Sequence, residues 1–246
     1  MIKTITIKAY GRPEILRLTI QSLLLDTGSK DWFYCISADY SDDIDTVVST
    51  IQEELDGKVD YTIITSDTRL GIARNHYKAV AYAFEELGSD WNLDFDDDYI
   101  VHTGWNNLCT YYIDVLFKVY HTMFSGHLQS LYPFGNIDNF YLPEELIWLS
   151  RHYSHHGTLL PRYKWQDGYN TYLKNYVDRG GLSCEGATIG WIKENGLRTA
   201  RPVVSRIEYQ PNNGVNWNIE SCVQANASMV YTDKHIDRFR LLGMFE

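Results

Sequence analysis

Several absences narrow the reading of this 246-residue chain before any motif is weighed. No apolar run approaches the ~20 residues that a membrane-spanning helix needs, and Ile2 to Ile7 alternates with Lys and Thr instead of forming the continuous apolar core of a secretory signal. A protein without a membrane span, in the cytoplasm, is expected. Closely spaced cysteines are missing too: Cys35, Cys109, Cys184 and Cys222 form no C-x-x-C, which indicates neither a zinc site nor a disulfide framework. Neither G-x-G-x-x-G nor G-x-x-x-x-G-K-[ST] occurs, which weakens a dinucleotide fold or a P-loop enzyme. Positive charge is in deficit, with 22 Lys+Arg against 32 Asp+Glu and a net charge of −10. That balance argues against sequence-independent attachment to nucleic acid or to an anionic membrane. No Pro-, Gly- or Ser-rich linker divides the chain, so one domain over 1–246 is expected, with 1–105 and 106–246 as its halves.

What is present is a run of carboxylates. Trp91-Asn92-Leu93-Asp94-Phe95-Asp96-Asp97-Asp98-Tyr99 reads as a strand with Trp91, Leu93 and Phe95 on one face, ending in three consecutive acids. Adjacent like charges repel, and a hard divalent cation such as Mg²⁺ or Mn²⁺ would relieve them while leaving room for phosphate oxygens. Standing alone, the triplet would be read more readily as a solvated acidic loop.

Its setting favours a site. Strands are expected at 2–9, 32–37 and 61–65, alternating with helices whose apolar stripes include Leu16, Ile20 and Leu23, then Val47, Ile51 and Leu55, then Ala79, Val80 and Phe84. The acidic strand is fourth. Such alternation is the pattern of an α/β protein with an open, mostly parallel sheet and helices on both faces. Ligands bind outside the carboxyl ends of such strands, where Tyr10-Gly11-Arg12, Asp39 and Asp96 to Asp98 are expected to meet. Further on, a helix is expected over 105–120, a strand over 128–134 and a short helix over 142–149. Residues 151–164 read as a turn-rich mobile loop, in which Gly157 and Pro161 oppose the helix that would align His152, His155 and His156 as metal ligands. Helices are expected again after Asp167 and over 187–195, a strand over 201–207, and a mixed tail over 229–245.

With these residues in place the chain resembles glycosyltransferases of the GT-A (Rossmann-like) fold. Within them it is most similar to the inverting family of the N-acetylglucosaminyltransferase that starts N-glycan branching. Short motifs carry the likeness, in order over about residues 5–216: Tyr10-Gly11-Arg12, Ser37-Ala38-Asp39, Asp96-Asp97-Asp98, Trp165-Gln166-Asp167 and Arg201-Pro202-Val203-Val204-Ser205-Arg206. The resemblance implies a smaller acceptor-side extension and a Mn²⁺ or Mg²⁺ ion on Asp98 helped by Asp96. It implies nucleotide contacts from Tyr10, Arg12, Asp39, Arg74, Asp96 and Asp97, and a general base at Asp167. The broader GT-A pattern would instead set a D-x-D on Asp94 and Asp96. The implied activity moves a hexosyl or N-acetylhexosaminyl group from a nucleotide-sugar, a UDP-sugar in this reading, to a hydroxyl of a glycan, a protein or a modified DNA base. Gln166, where the family has an acid, keeps a non-catalytic sugar- or nucleotide-binding module as an alternative.

Overall fold

A computed structural model describes residues 1–129, 140–142, 147–151, 153–202 and 205–210. Its chain order begins β1 (Lys3–Ala9), α1 (Pro13–Leu24), β2 (Phe33–Ala38), α2 (Ile44–Leu55), β3 (Tyr61–Thr65), α3 (Ile72–Ala81) and β4 (Trp91–Asp96). These are the expected alternations. Pro13 starts α1, where its missing N–H is no loss, and α3 runs on through a π-type turn at Tyr82–Glu86. Beyond β4 come β5 (Tyr99–Val101), α4 (Trp105–Tyr111), a π-type turn, and α5 (Phe117–Val119), so the helix expected over 105–120 is present in pieces. Then follow β6 (Met123–His127), β7 (Phe140–Leu142), β8 (Ile147–Ser150), β9 (Thr158–Pro161), α6 (Arg162–Lys164), α7 (Asn170–Asp178), α8 (Cys184–Glu194), β10 (Arg198–Pro202) and β11 (Ile207–Tyr209).

The main sheet has nine strands in the order β3-β2-β1-β4-β9-β6-β10-β8-β7, and β5 pairs with β11 apart from it. Strands β3, β2, β1 and β4 are mutually parallel, and β9 runs against both β4 and β6. Because β8 also opposes its neighbours while β10 follows β6, seven of the nine strands point one way. The register sets Lys8 level with both Ser37 and Asp96, so Tyr10, Asp39 and Asp97 leave the sheet at one edge.

Alternation along β1 and β4 divides the interior. Ile5, Ile7, Leu93 and Phe95 are fully buried with Leu16, Ile20 and Ile51. The opposite face carries Thr4, Thr6, Lys8, Asn92 and Asp94, all buried. Buried polar groups need partners, and here they find one another: Thr6 donates to Asp94 at 2.8 Å, Asn92 donates to Thr6 at 3.1 Å, and Thr4 meets Ser89.

Four expectations need correction. The strand expected over 128–134 is not formed in its described part, 128–129; the strand here is β6, which ends at His127 and sets Met123 and Phe124 in core positions, and 130–134 lie outside the described residues. The helix expected over 142–149 is not formed in its described part, where Ile147–Ser150 is a strand against β10. The loop expected over 151–164 contains β9, a buried strand inserted between β4 and β6. Gly157 at φ +58 makes the entry to β9, where an added Cβ would lie 3.0 Å from Phe95 and Leu128. Finally, the strand expected over 201–207 is two, β10 and β11. His152, Val203, Val204 and the tail over 229–245 lie outside the described residues.

Candidate active site

The carboxyl ends of β1 and β4 place four carboxylates beside two buried or half-buried cations. Lys8 Nζ lies 2.5 Å from Asp94 and 3.3 Å from Asp96, with Lys8 and Asp94 side chains only 4% exposed. Arg12, the residue capping α1, grips Asp97 and lies 3.3 Å from Asp98. The Tyr10 amide also donates to Asp97 at 3.1 Å. Burial raises the Asp94 pKa, but Lys8 and His76 outweigh it and hold that carboxyl well below its usual range. Asp97 goes the other way. Its burial, reinforced by Asp98 and Asp96, overcomes Arg12 and pushes it up to about 7, and Asp98 is raised by burial and by Asp96.

The four acids differ in what they already hold. Asp94 is spent on Lys8, Thr6 and the α3 side, deep in the strand. Asp97 is spent on Arg12 and the Tyr10 amide. Asp96 and Asp98 keep the more open carboxylates, with side chains 22% and 18% exposed. Four carboxylates against two cations leave two negative charges, which hard oxygen donors would share with one Mg²⁺ or Mn²⁺. The residues present therefore fit a divalent cation on Asp96 and Asp98.

The other predicted contacts gather at the same edge. Asp39, 3% exposed, accepts amide N–H bonds from Leu70 at 2.8 Å and Gly71 at 2.9 Å, which ties the 66–71 loop beside the end of β2. Gly71 takes φ +78, a conformation open to glycine, where the chain turns into α3. Tyr10 holds the Arg69 guanidinium 4.5 Å from its ring centroid. Arg74 is exposed in the first turn of α3. Arg201 is wholly buried, donating to Gln129 at 3.2 Å and to Ser154 at 2.8 Å.

Asp167 is not brought to this group. Pro161 pairs with Trp91, at the opposite end of β4 from Asp96, and Trp165 stacks on Phe84 and donates to Glu85 at the far end of the α3 helix. Asp167 is exposed in the kinked turn that follows. The carboxylate that does approach is Glu185, half-buried in the first turn of α8, close enough to Asp96 and Arg201 to feel both charges. Burial raises its pKa, Arg201 opposes that and Asp96 adds to it. Sequence reading missed Glu185 because it began this helix at Ala187. The signal available was an acid two residues after a capping-type Ser183, following the Gly180-Gly181 turn.

No protein-family model matches the chain, and no curated protein matches it. Solved structures do. Among them are S. aureus TarS, at 10% identity and TM-score 0.55, covering 85% of this chain and 37% of that one, and the mannosyltransferase PcManGT from Pyrobaculum calidifontis, solved with GDP-Man and Mn²⁺, at 10% identity and TM-score 0.53, covering 83% and 57%. GalNAc-T7, solved with UDP, GalNAc and Mn²⁺, matches at 11% identity and TM-score 0.57, covering 86% and 43%. The chain thus spans 37% to 57% of the lengths of these three chains. At such identities the likeness speaks for architecture alone, and the architecture is the α/β fold of the GT-A glycosyltransferases.

Proposed function

We propose that the chain is a metal-dependent, inverting glycosyltransferase that moves a hexosyl or N-acetylhexosaminyl group from a UDP-sugar to an acceptor hydroxyl. The carrying observation is the pair of open carboxylates Asp96 and Asp98 at the end of β4, with the half-buried Glu185 of α8 within electrostatic reach of Asp96. The GDP-Man with Mn²⁺ in one solved structure of this fold, and the UDP, GalNAc and Mn²⁺ in another, support the same reading.

In this reading Asp96 and Asp98 hold the Mn²⁺ or Mg²⁺ that offsets charge on the departing diphosphate. Arg12 keeps Asp97 and Asp98 in place from the β1 side. Tyr10, with Arg69 over its ring, offers a face for the base, Asp39 shapes the loop beside it, and Arg74 reaches the nucleotide from α3. Glu185, in preference to Asp167, takes the proton of the acceptor hydroxyl. Attack by that hydroxyl from the side opposite the leaving group inverts the sugar carbon in a single displacement.

Calorimetric binding of UDP with and without Mn²⁺ tests the donor half of this reading. Mn²⁺-dependent binding that is lost in Asp96→Asn and Asp98→Asn is expected. Metal-independent binding, or equal binding by both variants, would overturn it.

A further inference from the structure

A second cluster of ligand-type groups lies behind the acidic strand end. His76 from α3, His155 from the segment entering β9, and Cys184 from the first turn of α8 bring one ligand atom each within 4.8 Å of one another. They line a cavity of about 30 Å³ together with Lys8, Asp96 and Ser183. That volume suits a single ion or water. We propose that His76, His155 and Cys184 form a site for a thiophilic divalent metal such as Zn²⁺, adjoining Asp96 but built on different ligands from the carboxylates that would serve a nucleotide.

Three features point to a metal. The donor set is two imidazoles and a sulfur, which favours Zn²⁺ over Mg²⁺ or Mn²⁺; with bonds of about 2.0 Å to nitrogen and 2.3 Å to sulfur, the three groups need close by only ~1 Å. The His155 Nε2 is buried with no hydrogen-bond partner. Such an orphaned ring nitrogen is costly unless something binds there. Asp94 supplies the outer contact that metal-bound histidines usually have, its Oδ2 lying 3.2 Å from Nδ1 of His76 and 3.8 Å from Nδ1 of His155.

Lys8 lies between Asp94 and Asp96, whose two carboxylates outnumber it on this side. A divalent ion that displaces the thiol proton of Cys184 and bonds to the resulting thiolate adds one positive charge, and the proton goes to solvent. Bound there, the metal would fasten α3, the entry to β9 and α8 together, three segments far apart in the sequence. It would fix the first turn of α8, and with it Glu185, against Asp96.

Co²⁺ titration of the metal-stripped full chain tests this. One equivalent should bind with thiolate-to-cobalt charge-transfer absorption and tetrahedral d–d bands, and Zn²⁺ should displace it. Cys184→Ser should abolish the charge-transfer band, His155→Gln should weaken Co²⁺ binding by at least about tenfold, and Cys222→Ser should leave the band intact. Zn²⁺ should raise the melting temperature of the unaltered chain and not that of His155→Gln, a readout that stands even where Cys184→Ser folds poorly. Absence of the charge-transfer band, its survival in Cys184→Ser, its loss in Cys222→Ser, or an equal Zn²⁺ effect on His155→Gln would overturn the site.

Discussion

Replacing Lys8 by Met would expose how much of the acidic strand end is scaffold. The ammonium is 2.5 Å from Asp94 and 3.3 Å from Asp96, and the Lys8 and Asp94 side chains are 4% exposed. Removing it leaves Asp94 charged in a dry interior beside Thr6 and His76. Losing one partner of a buried pair costs about 3–5 kcal/mol. For a chain of this size each kcal/mol moves the melting temperature by about 2–4 °C, so Lys8→Met should melt roughly 6–20 °C lower. Lys8→Met/Asp94→Leu removes both charges and should recover most of that loss, giving a clear coupling in a double-mutant cycle. Urea unfolding followed by fluorescence of the buried Trp32, Trp105 and Trp165 reads it. With the cation on Asp96 and Asp98, as proposed, and Asp94 given to Lys8, the double variant should still bind UDP with Mn²⁺. A loss below about 1 kcal/mol in Lys8→Met, or a double variant no better than the single, would refute the assignment of Asp94 to the scaffold.

Two further outcomes follow. Glu185→Gln should lower kcat by about 10²–10⁴ with KM nearly unchanged; since burial raises the Glu185 pKa, the base is lost as pH falls through that raised value, and the acid limb of the kcat profile should lie above the ordinary 4.5 of a glutamate. Glu54 shifts oppositely: burial raises its pKa, but hydrogen bonds from Arg17 and Gln21 outweigh it and leave it lowered. Its contribution to stability is then complete above pH 4.5 and drains away as pH falls through the depressed folded value, so melting curves of Glu54→Gln should converge on those of the unaltered chain in acid.

The first half of the fold was legible because its elements announce themselves locally. Leu16, Ile20 and Leu23 repeat at helical spacing, Leu93 and Phe95 alternate, and the acids after Phe95 mark a strand end. The second half was harder for a physical reason: β9 is four residues long, buried on both sides and ended by Pro161, so it offers neither alternation nor length. Site residues that depend on non-local packing were hidden for the same reason. His76, His155 and Cys184 meet only after α3, β9 and α8 dock, and Glu185 acquires its position from a helix start three residues earlier than its apolar pattern shows. Trp165-Gln166-Asp167 illustrates the converse, a motif match whose tryptophan serves as a packing anchor on Phe84 and Glu85.

Release of nucleoside diphosphate, read by mass spectrometry across a panel of nucleotide-sugars with Mn²⁺ and simple hydroxyl acceptors, tests the central claim most directly. Release from a UDP-sugar should require the cation, disappear in Asp96→Asn and Glu185→Gln, and persist in Asp167→Asn. No release from any donor, or release that Glu185→Gln leaves unchanged while Asp167→Asn abolishes it, would contradict the account.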